Sequence, residues 1–394
     1  MAALDMIFMI LLLIPAYAYL GYGMVLFIAV RIARLLRKSG RPNDDAELPV
    51  MTLLIAAYNE KDQVAIKMKN TRELDYPDDK LRVLWVTDGS DDGTDRAVAA
   101  YPDVRVLHQP ERKGKIHAMN RAMLLVDTPL VVFSDANTLL SRGALRKIAR
   151  LFTDPRIGCV SGEKRIQMRT HEHASAAGEG IYWKYESLLK KWDAELYSVV
   201  GAAGELFAVR TVLYQAVPDD TILDDFVISL GIAMRGYRIG YDAEAYAVET
   251  GSESVAEELK RKIRISAGGI QAIIRLRPLL NIRKYGILSF QYISHRVLRW
   301  TLAPVCLVLL LPLNGWLCFT TGGIYAWFLA FQILFYLLAG IGWFLAGKKI
   351  KSKIAFVPYY FLIMNLAVLA GMKRYAHKQQ NVLWEKARRM QTAG

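Results

Sequence analysis

Hydrophobic and polar positions divide the chain into three textures. Met6 to Val30 carries no charged residue and is long enough to span a bilayer as a helix. From Pro49 the pattern changes to short apolar runs separated by amphipathic stretches. Val50–Ala57, Leu81–Thr87, Val104–Leu107, Leu130–Phe133 and Gly158–Glu163 read as strands, most of them continuous apolar runs that end in polar residues. Helical spacing between them implies right-handed βαβ units and a parallel sheet, with a ligand crevice along the carboxyl edge of the strands. Past residue 300 three more apolar spans follow, at 301–319, 323–346 and 354–372, the last carrying Pro358 and Asn365. The expected layout is a membrane helix over 1–36, a polar linker over 37–48 and a soluble α/β domain over 49–250. Amphipathic interfacial helices over 251–300, membrane helices over 301–372 and a basic tail over 373–394 complete it.

Composition supports this layout. The chain is 53% hydrophobic, has a mean hydropathy of +0.19 and carries a net charge of +14. In a soluble protein that charge would suggest nucleic acid. Here Arg31, Arg34, Arg37 and Lys38 flank one apolar run and Lys348, Lys349, Lys351 and Lys353 another, so the charge reports topology and anionic lipid instead. The first span reads as a retained signal anchor with the N-terminus outside and the α/β domain in the cytoplasm. Four spans would put the C-terminus outside too, whereas Lys373, Arg374, Lys378, Arg388 and Arg389 argue for inside. The three cysteines, Cys159, Cys306 and Cys318, have neither ligand spacing nor a disulfide framework.

Candidate chemistry gathers at the strand ends. No G-x-G-x-x-G follows the first strand and no Walker lysine motif appears, which disfavours dinucleotide and P-loop readings. Glu60 and Asp88, at successive strand ends, can accept from a base or ribose, or cap a helix and a turn. Lys115 suits a diphosphate as a point charge, or is a solvated loop lysine. Asp135 and Asn137 lie two residues apart at the end of Leu130–Phe133, so a carboxylate and an amide oxygen can reach one hard cation; helix capping is the alternative. Small residues around Gly204-Glu205 permit the close backbone approach an acceptor sugar needs, or serve packing. Asp224 and Asp225 precede an apolar helix, where paired carboxylates can be N-caps or chemistry. His171-Glu172-His173 lacks a nearby third ligand and reads as an exposed loop.

In order, Ala-Tyr-Asn-Glu (57–60), Thr-Asp-Gly-Ser-Asp-Asp-Gly-Thr (87–94), Lys-Gly-Lys (113–115) and Ser-Asp-Ala-Asn-Thr (134–138) resemble a family 2 glycosyltransferase. The likeness is to the membrane-integrated synthases of cellulose, chitin, hyaluronan and poly-N-acetylglucosamine, and it covers about 49–274. It implies a GT-A domain, an α/β fold with a mostly parallel, Rossmann-like sheet, joined to transmembrane α-helices. By this resemblance Tyr58, Glu60, Asp88, Lys115 and Asp135 hold a UDP-sugar donor, and Asp135 with Asn137 binds Mg²⁺ or Mn²⁺. Asn137 departs from the family's Asp-x-Asp and offers a cation less charge. Asp225, with Asp224 beside it, takes the place of the catalytic base, and Arg264 matches the arginine of the family's Gln-x-x-Arg-Trp. Ile265 stands where that motif has its tryptophan. The expected activity is inverting, metal-dependent transfer onto a growing polysaccharide, with coupled translocation as an option and Gln332 and Asn365 as amides able to guide a polar chain. The alternatives are one transfer to a polyprenyl phosphate or ceramide-like lipid, and a non-catalytic membrane scaffold. The partners implied are the donor, a glycan or lipid acceptor and the bilayer, without nucleic acid.

Overall fold

The computed structural model describes residues 2–36, 47–167, 174–250, 255–348, 350 and 352–379. His171-Glu172-His173 and the 380–394 part of the basic tail lie outside the described residues.

The strands are β1 (Met51–Ala57), β2 (Leu81–Thr87), β3 (Val104–Leu107), β4 (Leu130–Asp135), β5 (Leu139–Leu140), β6 (Ile157–Gln167), β7 (Leu206–Arg210) and β8 (Arg238–Thr250). They form one sheet in the order β3-β2-β1-β4-β7-β6-β8-β5. β1 pairs in parallel with both β2 and β4, Leu53 facing Val83 on one side and Val132 on the other. β1 and β4 are covered on both faces, which explains their continuous apolar runs; β2 is buried from Leu84 onward, with Arg82 exposed. Met51, Leu53 and Ile55 join the layer containing Val64 and Met68 of the helix Lys61–Arg72 and Ile148. Leu54 and Ala56 join the opposite layer, with Ile116 and Met119 of the helix Lys115–Met123.

β7 inserts antiparallel between β4 and β6. Phe133 faces Phe207 across it with the rings stacked at 4.5 Å. The parallel expectation therefore holds for β1 to β4, whereas β7 and β5 run against their neighbours. β5, β7 and β8 were outside the sequence reading. β5 has only two residues, and the loop before β7 is dominated by small residues that give no strand signal.

Among the described residues four helices are long and apolar enough to cross a membrane: Ala3–Leu36, Leu302–Thr320, Ile324–Gly347 and Ile354–Ala376. The first contains a π-helical segment, Tyr17–Gly21, and a second π segment, Ile293–Val297, interrupts the helical stretch before Trp300. The helix Val255–Arg275 lies between the sheet domain and the last apolar helix: a Cβ on Gly371 would come within 2.6 Å of Ser266.

Candidate active site

The carboxyl ends of β1 and β2 are stitched together by polar bonds. Asn59 adopts a left-handed φ of 54°, tolerable for asparagine, and its side chain both donates to Asp91 Oδ1 and accepts from the Asp91 amide. Ser90 Oγ accepts from the Asn59 amide, Thr94 Oγ1 from that of Glu60, and Asp92 from that of Lys61. Glu60 stands at the N-cap position of Lys61–Arg72, yet its side chain makes no cap bond.

Asp88 is buried, and its carboxylate accepts from the backbone amides of Lys113 and Gly114 at 2.8 to 3.0 Å. It thereby fixes the turn that delivers Lys115. Gly89 makes that turn possible. Its φ is 65°, and a Cβ there would lie 2.7 Å from the Arg112 amide nitrogen. The Arg112 guanidinium in turn covers the Tyr58 ring at 3.7 Å.

Lys115 Nζ lies 2.6 Å from Asp135 Oδ1 and 4.0 Å from Asp224 Oδ2, joining the end of β4 to the acidic pair. Burial disfavours its ammonium, but Asp135 and Asp224 outweigh burial and raise its pKa. No helix starts at Asp135, since β4 leads into a turn and then β5, so helix capping does not account for it. Likewise the helix Asp224–Ala233 is capped at Leu223, and both aspartates sit inside its first turn. Burial, then Asp224, push the Asp225 carboxyl up to about 8, with Lys115 pulling the other way. Asp225 flanks Gly204: a Cβ on that glycine would lie 3.2 Å from Asp225 Oδ2. Glu205 pairs with Lys164 at 2.5 Å. Burial would neutralise Glu205, yet Lys164 and Arg261 lower its pKa and keep it ionised.

A divalent cation fits the turn after β4. Asn137 Oδ1 is buried without a hydrogen-bond partner among the described residues, an acceptor with capacity to take a ligand. Among the described residues no three His, Cys, Asp or Glu side chains converge. A cation held by Asp135 and Asn137 would complete its shell from phosphate oxygens and water, as Mg²⁺ commonly does.

Helix Val255–Arg275 clamps the loop that carries the acidic pair. Gln271 Nε2 donates to Asp220 O at 2.9 Å, and its Oε1 accepts from the Ile222 amide at 3.1 Å. Arg275 donates to Thr221 Oγ1 and Asp220 Oδ2, both at 2.6 Å. A Cβ on Gly268 would meet Ile222 at 2.7 Å. Arg264 stands one turn before Gly268 and so on the same face. Sequence reasoning missed Gln271, Arg112 and Lys67. Only Lys67 carried a signal, as a charged residue in the buried stripe Val64, Lys67, Met68, Thr71.

The mostly parallel α/β sheet, its polar carboxyl edge and, among the described residues, four membrane-length helices have the layout of a membrane glycosyltransferase of the GT-A fold, and the comparisons with known proteins establish that class. Residues 49–268 match the model of the Glycosyltransferase like family 2, and the chain belongs to that family. It is similar to the poly-beta-1,6-N-acetyl-D-glucosamine synthase of Staphylococcus aureus (strain MSSA476), 28% identical over 240 residues, 58% of this chain and 57% of that protein. The synthase of the same name from Staphylococcus epidermidis is 22% identical over 268 residues, 65% of this chain and 63% of the relative. The chain thus spans under two thirds of these relatives' length. Its fold is similar to that of a mannosyltransferase from Pyrobaculum calidifontis solved with GDP-Man and Mn²⁺. The TM-score is 0.71 at 22% identity, covering 95% of this chain and 100% of that one.

Proposed function

We propose that the chain transfers a sugar, with inversion, from a nucleoside-diphosphate sugar to an acceptor presented at the membrane surface. The observation that supports this reading is the Lys115 ammonium set between Asp135 and Asp224, a positive charge of the kind a diphosphate needs, beside the acidic pair. Asp225 takes the proton of the acceptor hydroxyl as that oxygen attacks C1. The bond from C1 to the diphosphate oxygen breaks, and the nucleoside diphosphate departs. A single base with no protein nucleophile assigned implies inversion. Lys115 meets the negative charge that grows on the leaving group, and Arg264 is assigned the same task. A cation at Asp135 and Asn137 would supply further neutralisation of that charge. Tyr58, Glu60 and the turn held by Asp88 line the nucleotide end, while Gly204 and Glu205 line the acceptor end.

For the acceptor, the membrane helices favour a lipid-borne molecule. The amides of Asn314 and Gln332 bond each other at 2.6 Å, Tyr19 donates to Asn365 at 2.6 Å, and Tyr325 donates to Asp5 at 2.8 Å. Amides engaged with neighbouring helices are not lining a path for a sugar chain. Ile265 in place of a stacking tryptophan points the same way. Polysaccharide extension is the second reading, supported by the named activity of the staphylococcal relatives. Arg31 and Arg34 at the end of the first span favour a cytoplasmic catalytic domain.

The test is to incubate the purified protein in native-lipid vesicles with labelled UDP-N-acetylglucosamine, other UDP-sugars or GDP-mannose, then size the product. A one-sugar lipid is expected. A ladder or high-mass glycan would replace the lipid reading with the polymer reading, and absence of transfer from every donor would favour a scaffold.

A further inference from the structure

Lys67 is fully buried in the apolar face of Lys61–Arg72. A buried ammonium is costly unless it is hydrogen-bonded. Its Nζ donates to Ser134 Oγ and to the Thr138 carbonyl, each at 2.7 Å. Those two residues flank Asp135-Ala136-Asn137. Thr138 Oγ1 closes the turn from within, 3.0 Å from the Asp135 carbonyl and 3.2 Å from Ser134 Oγ. Asn70, nearly one helical turn on, repeats the arrangement: its amide nitrogen donates to Leu140 O and its oxygen accepts from the Leu140 amide. The helix thus holds the 134–140 backbone at two points, and Lys67 fastens both ends of the segment that bears Asp135 and Asn137.

We propose that Lys67 is a positioning residue that presets Asp135 and Asn137 for a divalent cation. This rests on reading those two residues as the cation's ligands. A neutral amide contributes less charge than a second aspartate would, so affinity depends more on holding both oxygens in place. Burial brings the Lys67 pKa down to about 7, with Asp135 opposing; in its protonated fraction charge alone predicts the opposite effect, because an ammonium behind the turn repels a cation and its removal should tighten binding. One substitution separates the two.

Lys67→Met keeps an unbranched apolar stem, one atom shorter, and removes the amine with both of its bonds. Free Mn²⁺ is measured by electron paramagnetic resonance with protein and UDP present, corrected for the Mn²⁺–UDP complex, and repeated with GDP. Weakening of Mn²⁺ binding by about tenfold or more is expected, the range found when groups that orient metal ligands are removed. Cation-free UDP affinity should stay within roughly twofold. Ser134→Ala, which keeps the charge and loses one acceptor, should weaken Mn²⁺ binding by a smaller factor, and it decides alone if the first variant fails to fold. Unchanged or tighter Mn²⁺ binding in the folded variants would overturn the positioning role while leaving the ligand assignment intact. A wild-type protein that binds no Mn²⁺ with either nucleotide would sink both.

Discussion

Asp225 is poised between two protonation states, and its surroundings set where it titrates. Burial and the neighbouring Asp224 charge raise it to about 8, so in the free protein at neutral pH most molecules hold a proton on the candidate base. Transfer per encounter should therefore rise about tenfold per pH unit below 8 and level off above it. Asp224→Asn removes a like charge and should shift that limb to lower pH; kcat/KM between pH 6 and 9 measures both. A profile that Asp224→Asn leaves in place would remove the electrostatic account. Asp225→Asn should lower transfer by about two or more orders of magnitude with little change in nucleotide affinity. Stability carries its own sign. The folded pKa lies above the unfolded one, so the carboxyl favours the fold at acid pH and loses that contribution as pH rises through 8. Relative to wild type, Asp225→Asn should therefore be more stable at pH 8 than at pH 5 in thermal unfolding. For the cation, chelator should abolish transfer and Mg²⁺ or Mn²⁺ restore it, with Asn137→Asp tightening binding; indifference to chelator would leave Asp135 as a partner of Lys115 alone.

Helix Val255–Arg275 bridges the candidate site and the apolar helices, with Gly268 against the loop of the acidic pair and Ser266 against Gly371 of the last apolar helix described. Gly268→Val should push Ile222 outward and displace Asp224 and Asp225. The expected result is a fall in kcat of about tenfold or more with donor KM nearly unchanged, since small misplacements of catalytic groups are costly. An equal rise in donor KM would locate the damage at the nucleotide end instead. Elements differ in how far the sequence announced them. β1 and β4 were legible because a strand covered on both faces is apolar along its length, and β2 through its buried second half, Leu84 to Val86; the acidic pair was legible because its two carboxylates are adjacent in the chain. β5 and β8 pair only through tertiary contacts. Gln271 reads as one more polar residue until the helix is laid on its loop.

Across the whole molecule, a buried polar centre joins the first apolar helix to the sheet domain. His295 lies 2.6 Å from Asp193 and 3.1 Å from Glu186; Arg296 and Arg299 pair with Glu186, and Tyr22 and Gln291 with Asp193. Both π segments take part. Arg299 donates to the Ala18 carbonyl, Tyr185 to that of Tyr19, and Tyr17 bonds Ser294. Removing one partner from such a centre strands the others: Asp193→Leu should cost about 3–5 kcal/mol of stability in detergent. By contrast the exposed Arg34–Glu195 pair, between the first apolar helix and the helix Ala174–Leu196 that carries Glu186 and Asp193, should cost at most about 1 kcal/mol when Arg34 becomes alanine. Equal losses in thermal unfolding would mean that the buried centre contributes no more than a surface contact.

The bond from Tyr19 to Asn365 spans 346 residues of chain. At about 5–20 residues per second of synthesis, Tyr19 waits on the order of 20 to 70 s for its partner to leave the ribosome. Through that interval the π segment's neighbours Tyr185, Ser294 and Arg299 arrive one after another, and the final helix arrives last. A nascent chain stalled before residue 365 would hold a complete sheet domain and an unclosed membrane seat. Closure of that seat therefore waits on Ile354–Ala376, the last helix among the described residues.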